Sequence, residues 1–275
     1  MEGRTAPVAV IIDDHPKARP QSGLNEACLV FAAPVEGGIA RFLAVYGHGQ
    51  TVGRIGPVRS MRPYFVELAQ ALGLVLAHCG GSPEAYELAE GLGLARIDDI
   101  KGGWRAFRRD ASRRAPHNLY TDTGRLGAEI RRRGLASGIE IPVPEGFGSF
   151  EGADPAPTVA VPSLGLSFLY REENGLYSLA SQGTLRRDER GNPIRAAAVV
   201  VVEVPATVVD RVGRLRLDLE ARPCLVAAEG RARTALWPGV AGDPGRPVEE
   251  DGRPIRLPAG PIWIVLAPLR SGAEK

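Results

Sequence analysis

Lysine is nearly absent from this chain of 275 residues, aromatic side chains make up only 6% of it, and there are three cysteines. Lys17, Lys101 and Lys275 stand against 31 arginines. A GC-rich genome accounts for that bias, so arginine richness alone argues no function. Few aromatics, not interleaved with basic runs, leave no stacking platform for single-stranded nucleic acid. The net charge of +2 is too small to advertise a polyanion partner. Cys28, Cys79 and Cys224 form an odd set without C-x-x-C spacing. That argues against a disulfide framework and a zinc knuckle and leaves buried free thiols as the expectation. The longest apolar run, Ala196 to Val202, falls far short of the ~20 residues of a membrane helix. Met1 to Pro7 lacks the regions of a secretory signal, and no cysteine near the start could take a lipid. By residues alone, the chain reads as cytoplasmic.

What is present is enough for a packed core: 44% hydrophobic and 24% charged residues, over a length that suits two ordinary domains. Val8 to Ile12 is a continuous β-branched run that delivers Asp13, Asp14 and His15 at its end, the pattern of a buried strand. Leu29 to Ala33, Ala40 to Tyr46 and Leu74 to Ala77 are further strands. Helices are predicted from a Ser60 cap through Leu72, from Pro83 to about Leu92 with Ser82 as cap, and from Thr123 to Arg133. Arg131-Arg132-Arg133 before Gly134 is the cationic last turn of that third helix rather than a nucleic-acid signal. Between Gly138 and Gly165 the chain turns rich in proline and glycine. The expected fold is therefore α/β (α+β): a mixed sheet with helices over residues 1–145, then a smaller β-rich domain over 146–275. Strands are expected there at Leu166 to Tyr170, Tyr177 to Ala180, Ala197 to Val204, Leu215 to Leu219, Leu225 to Ala228 and Ile262 to Leu266.

All four histidines, His15, His48, His78 and His117, precede residue 120, so any histidine chemistry belongs to the first domain. Asp13, His15, His78 and His117 are the residue types of a two-histidine, one-carboxylate metal site, although no spacing fixes two ligands on one element. Gly80-Gly81-Ser82-Pro83 follows a strand and opens a helix, an arrangement suited either to capping alone or to an anion. Arg59 and Arg62, three apart at a helix start, would share one face there, and a guanidinium fork matches phosphate or carboxylate. Internal ion pairs to Asp13, Asp14, Glu36 and Asp110 are the alternative. Walker A, dinucleotide and G-x-S-x-G patterns are missing, and no cofactor is expected.

Three long stretches carry a resemblance. Ala18-Arg19-Pro20-Gln21-Ser22-Gly23-Leu24, Ile55-Gly56-Pro57-Val58-Arg59-Ser60-Met61-Arg62 and Ala115-Pro116-His117-Asn118-Leu119-Tyr120 resemble the YerB-like family of bacterial envelope proteins, strongly from Val10 to Thr121 and weakly afterwards. The family has no settled biochemical function. Its members are typically exported lipoproteins, so the resemblance implies an extracytoplasmic, membrane-associated protein without a transmembrane segment. Against the family pattern, Cys28 stands where an acid is expected, an acid near Ala32 or Ala33 is missing, and Ala198 replaces an asparagine.

These readings converge on an arginine-lined site for an anionic ligand, phosphate- or pyrophosphate-bearing and lipid- or glycan-linked, such as an envelope glycopolymer precursor. Arg19, Arg41, Arg59, Ser60, Arg62, His78, Gly80, Gly81, Ser82, Arg114 and Asn118 are the candidate contacts. Asp13 and His117 are the catalytic candidates if the protein is a hydrolase or phosphotransferase; a non-catalytic scaffold is the third reading.

Overall fold

The structure, a computed structural model, describes residues 7–135 and 150–269. The chain divides into two compact units, residues 1–30 with 41–142, and residues 31–40 with 143–275. Residues 31–40, which the sequence reading assigns to the first domain, thus group with the second.

In chain order the elements are β1 (Val8–Asp13), β2 (Leu29–Pro34), β3 (Ala40–Tyr46), α1 (Pro63–Ala71), β4 (Val75–His78), α2 (Pro83–Gly91), β5 (Arg96–Asp98), β6 (Arg108–Arg109), β7 (Leu119–Tyr120) and α3 (Thr123–Arg133). They continue with β8 (Asp154–Pro155), β9 (Thr158–Val161), β10 (Leu166–Arg171), β11 (Leu176–Ser181), β12 (Thr184–Leu185), β13 (Arg195–Ala196), β14 (Ala198–Val208), β15 (Leu215–Leu217), β16 (Arg222–Ala228), β17 (Arg231–Trp237) and β18 (Ile262–Leu269). No helix among the described residues is long and apolar enough to cross a membrane.

In the first unit β1 pairs antiparallel with β3 and parallel with β4, and β4 pairs parallel with β5. Every residue of β1 is buried, which is what its unbroken apolar run demands of a strand covered on both faces. Because β1, β4 and β5 run parallel, their carboxyl ends share one edge. Asp13, His78 and Asp98 are the last residues of those strands, so three chemically active side chains are delivered side by side. Arg41 is opposite Asp13 in the β1–β3 register.

Helix α1 begins two residues later than the Ser60 cap predicts, with Arg62 in the cap position. Pro63 occupies the first turn, where its fixed φ is pre-organised, and forces Arg62 before it into an extended conformation. Ser60 therefore does not cap; its hydroxyl donates to Cys79 O at 2.9 Å. Arg59 and Arg62 consequently share no helical face. Arg59 lies in an extended segment wedged beyond the ends of β1 and β4, its N–H donating to Ile11 O and its carbonyl accepting from Cys79 N, each at 3.0 Å. Helices α2 and α3 follow the prediction closely. Ser82 Oγ accepts from Ala85 N, and α3 closes on Gly134 at φ 60 after three arginines.

The second unit centres on β14, which pairs parallel with β18 and antiparallel with β15 and β16; β17 continues from β16 and β8 from β17. A separate sheet runs β9, β10, β11 and β12, with β13 on β11. Trp263 and Phe168 meet edge-to-face at 5.6 Å, and Trp237 donates to Pro244 O at 2.9 Å. Of the proline-rich stretch, Pro142 and Pro144 lie outside the described residues, whereas Pro155 sits in β8 and Pro162 opens a 3-10 turn.

Gly56 fixes the turn that carries Arg59. It adopts φ 142, exchanges backbone hydrogen bonds with Ser22, and a Cβ placed on it would stand 2.9 Å from Leu119 O. Strain at such a backbone costs ~1–3 kcal/mol, or roughly 2–12 °C in a unit of this size. Gly56→Ala is thus expected to lower the melting temperature by several degrees in a calorimetric scan. An unchanged melting temperature would show that the turn relaxes freely.

Candidate functional site

The Asp13 carboxylate, 1% exposed, gathers groups from three parts of the first unit. Its Oδ1 accepts from His15 N at 3.1 Å, while Oδ2 lies 2.7 Å from His117 Nδ1 and 2.9 Å from Arg59 Nε. With Nδ1 of His117 bearing the proton shared with the carboxylate, Nε2 is left as the basic nitrogen. His15 stacks on His117 with ring centroids 4.8 Å apart and planes 16° from parallel. Its own Nδ1 accepts from Lys17 N at 3.1 Å, which assigns the His15 proton to Nε2. The two stacked rings thus use Nδ1 in opposite roles, as donor in His117 and as acceptor in His15.

Beside this dyad is an arginine cluster. Arg41 is only 6% exposed; one terminal nitrogen donates to Ser60 O at 2.9 Å, and its Nε is buried without a hydrogen-bond partner. Burial pushes the Arg41 guanidinium down to about 10, with Arg62 and Arg59 acting in the same direction and Asp13 and Tyr64 opposing them. Arg62 donates to Met61 O at 2.8 Å.

His78 joins a different group. It is fully buried, its Nδ1 donates to Gly80 O at 2.9 Å, its Nε2 has no partner, and Asp98 lies 3.8 Å away. Burial holds its imidazole below the ordinary range despite the pull of Asp98. Burial alone would raise Asp98, but hydrogen bonds from Tyr86 and from Gly80 N keep it below the usual carboxylate range. The Gly80 N–H, which an anion would need, is thus taken by Asp98 Oδ1 at 3.0 Å, and Ser82 is engaged as a helix cap. Gly81 bridges to Met61.

Among the remaining sequence candidates, Arg19 pairs with Asp14 at 3.2 Å. Asn118 braces its own loop by donating to Asp110 O and accepting from Arg109. Arg114 is exposed, its carbonyl closing the turn to His117 N. Among the described residues no group of three or more His, Cys, Asp or Glu is placed to hold a metal ion. His48 sits in an exposed turn. Burial pushes the Cys28 and Cys79 thiols up to about 11 and Cys224 to about 12, which leaves all three unreactive near neutrality.

Sequence reasoning missed two residues that build the site. Gln21, fully buried, donates from its amide to Asp13 O at 3.0 Å and Asp14 Oδ1 at 2.8 Å. Arg113 clamps the 17–20 loop through the carbonyls of Pro20 and Arg19 and also reaches the Tyr120 hydroxyl. Neither has a local signal beyond lying inside a motif or beside one.

Residues 2–136 match the N-terminal domain, and residues 158–264 the C-terminal domain, of a family described as protein of unknown function (DUF3048). YerB of Bacillus subtilis, named as a candidate lipoprotein, is 31% identical over 95% of this chain and 81% of its own length. The chain belongs to the YerB-like family. The crystal structure of Bacillus subtilis YerB superposes with a TM-score of 0.82 at 29% identity, covering 96% of this chain and 91% of that one. Of the departures from the family pattern, Cys28 lies apart from the Asp13 cluster. Its thiol donates to Val45 O, four residues along β3 from Arg41, or ~13 Å at the usual strand rise.

The fall of Arg41 from 12.5 to about 10 corresponds to roughly 3 kcal/mol against the charged folded form. Since the folded value is the lower one, that cost is fully present below pH 10 and disappears as pH rises toward the unfolded value. Arg41→Met removes the cost and one hydrogen bond contributing ~1 kcal/mol. The variant is expected to melt at or above the parent temperature, against the usual loss for a core substitution. A fall of several degrees would make Arg41 a structural strut.

Proposed function

We propose that the N-terminal unit binds a phosphate- or pyrophosphate-bearing anion at the ends of β1 and β4, with Arg41, Arg59 and Arg62 as contacts. One observation carries the reading: a buried guanidinium with an unpartnered Nε has two further guanidiniums among its charged neighbours. Such an arrangement is unfavourable in the empty protein and becomes favourable once an anion supplies the missing acceptor. Charge-assisted bonds contribute ~1.5–3 kcal/mol each, so three approach the ~8 kcal/mol of micromolar binding. That the Bacillus subtilis relative is named as a candidate lipoprotein supports seeking the ligand among envelope phosphates, lipid- or glycan-linked precursors included.

The Asp13–His117 pair favours a second reading on the same residues, hydrolysis or phosphotransfer. A carboxylate that holds the Nδ1 proton keeps Nε2 free to take a proton from water or a hydroxyl, and the arginines would stabilise the developing charge.

Thermal shift with phosphate, pyrophosphate and isoprenyl pyrophosphate tests the binding. At ~100 times its dissociation constant a ligand adds ~2.7 kcal/mol, roughly 5–11 °C. The shift is expected in the parent and absent in Arg59→Ala and Arg41→Met. Turnover that vanishes in Asp13→Asn and His117→Gln would promote the second reading. No shift with any anion would leave the arginines as internal braces and favour a scaffold.

A further inference from the structure

The loop between β5 and β6 does something unusual for a chain so poor in aromatics. Trp237 and Trp263 are completely buried, but Trp104 is 62% exposed and Ile100 in the same loop 67%. Single exposed apolar residues are ordinary; these two are set in a basic surface. Lys101 and Arg105 accompany them, Arg108 and Arg109 follow, and Arg133 of α3 donates to Gly102 O at 2.6 Å. The nearby carboxylates are engaged. Asp99 meets Arg109 at 3.3 Å, Glu90 lies 3.0 Å from Arg96 and 4.0 Å from Lys101, which also sits over the Tyr86 ring, and Glu129 lies buried beneath Arg132 and Arg133. Arg105 lies 5.2 Å over the Trp104 ring, Arg108 donates to Gly53 O, and neither has a carboxylate partner among the described residues.

The loop is held in place from beneath. Asp98 accepts from Ile100 N at 3.0 Å, Ala106 is fully buried, and Gly103 packs so closely that a Cβ on it would stand 2.5 Å from Asp98 O. The outward placement of Ile100 and Trp104 is therefore built into the fold.

We infer that this loop docks on an anionic lipid surface, with Ile100 and Trp104 entering the interface and Lys101, Arg105 and Arg108 meeting headgroup phosphates. The partner must offer negative charge at its surface and apolar depth just beneath, in that order. An anionic bilayer does so: tryptophan settles at the headgroup level, aliphatic side chains below it, and cations stay above. Nucleic acid supplies the charge but nothing for Ile100, and one exposed tryptophan makes no stacking platform. Protein interfaces exclude charge from their cores, whereas here cations bracket both apolar residues.

The test uses the full chain with vesicles of equal parts phosphatidylglycerol and phosphatidylcholine, and with phosphatidylcholine alone. Since two of the three tryptophans are buried, a blue shift in emission reports Trp104. Expected are a blue shift and co-sedimentation with the anionic vesicles, neither with the neutral ones, and weakening at high salt. Ile100→Ser combined with Trp104→Ser should cut vesicle partitioning at least tenfold while leaving the melting temperature unchanged, both sites being exposed. Three results would overturn the inference: no binding to anionic vesicles, equal binding to neutral ones, or binding that survives the double substitution. An emission shift with a single-stranded oligonucleotide but not with vesicles would overturn it in favour of nucleic acid.

Discussion

A buried carboxylate cannot stay charged without donors, and Asp13 is placed where the chain must bring them from afar. At 1% exposure it would be prohibitively unfavourable alone. His15 N and His117 Nδ1 supply the hydrogen bonds and the Arg59 guanidinium an ion pair at 2.9 Å, so the 55–62 and 115–120 stretches both reach the end of β1. Two of the three motif stretches, 55–62 and 115–120, are thus fixed to each other through this carboxylate. Gln21 seals the Asp13 carbonyl, and Arg113 ties the 17–20 loop to the 110–120 loop. Removing the carboxylate would release not one contact but the mutual placement of the Arg59 and His117 stretches.

How much of this was legible follows from the range of each interaction. The β1 strand, α2 with its Ser82 cap and α3 with its arginine-rich end are written in neighbouring residues, and the sequence predicts them nearly to the residue. The start of α1 failed because two local signals compete: Ser60 is a good cap, but Pro63 fixes the first turn and excludes helix before it. Strand β17, with arginines at 231 and 233, carries too little apolar alternation to be recognised. Asp13 and His117 are each candidates by residue type and motif, yet their contact spans 104 residues, and nothing local encodes it. His78 was grouped with them for the same reason. Strand order places it instead beside Asp98, which ends the neighbouring strand.

That strand order also explains why the anion-ready backbone of Gly80 is occupied while the Nε of Arg41 has no hydrogen-bond partner. Asp98 ends β5 at the position where it accepts the Gly80 N–H, so the α2 terminus is satisfied internally. Across β1, the β3 register sets Arg41 opposite Asp13, but Asp13 is already committed to Arg59 and His117. Arg41 is left with the Ser60 carbonyl for one terminal nitrogen and no partner for its Nε.

The exposed loop and the arginine cluster meet at this edge. A Cβ on Gly80 would stand 3.1 Å from Ile100 Cδ1 and 3.5 Å from Ser60 Oγ, and the Ser60 carbonyl is the acceptor for Arg41. Ile100 and Ser60 thus flank Gly80, and Ser60 in turn holds the Arg41 guanidinium through its carbonyl. At φ 72 glycine is the favoured residue at 80, and its missing Cβ leaves room for both Ile100 Cδ1 and Ser60 Oγ, so one position serves both the turn at the strand end and the packing of the exposed loop against the 59–62 segment.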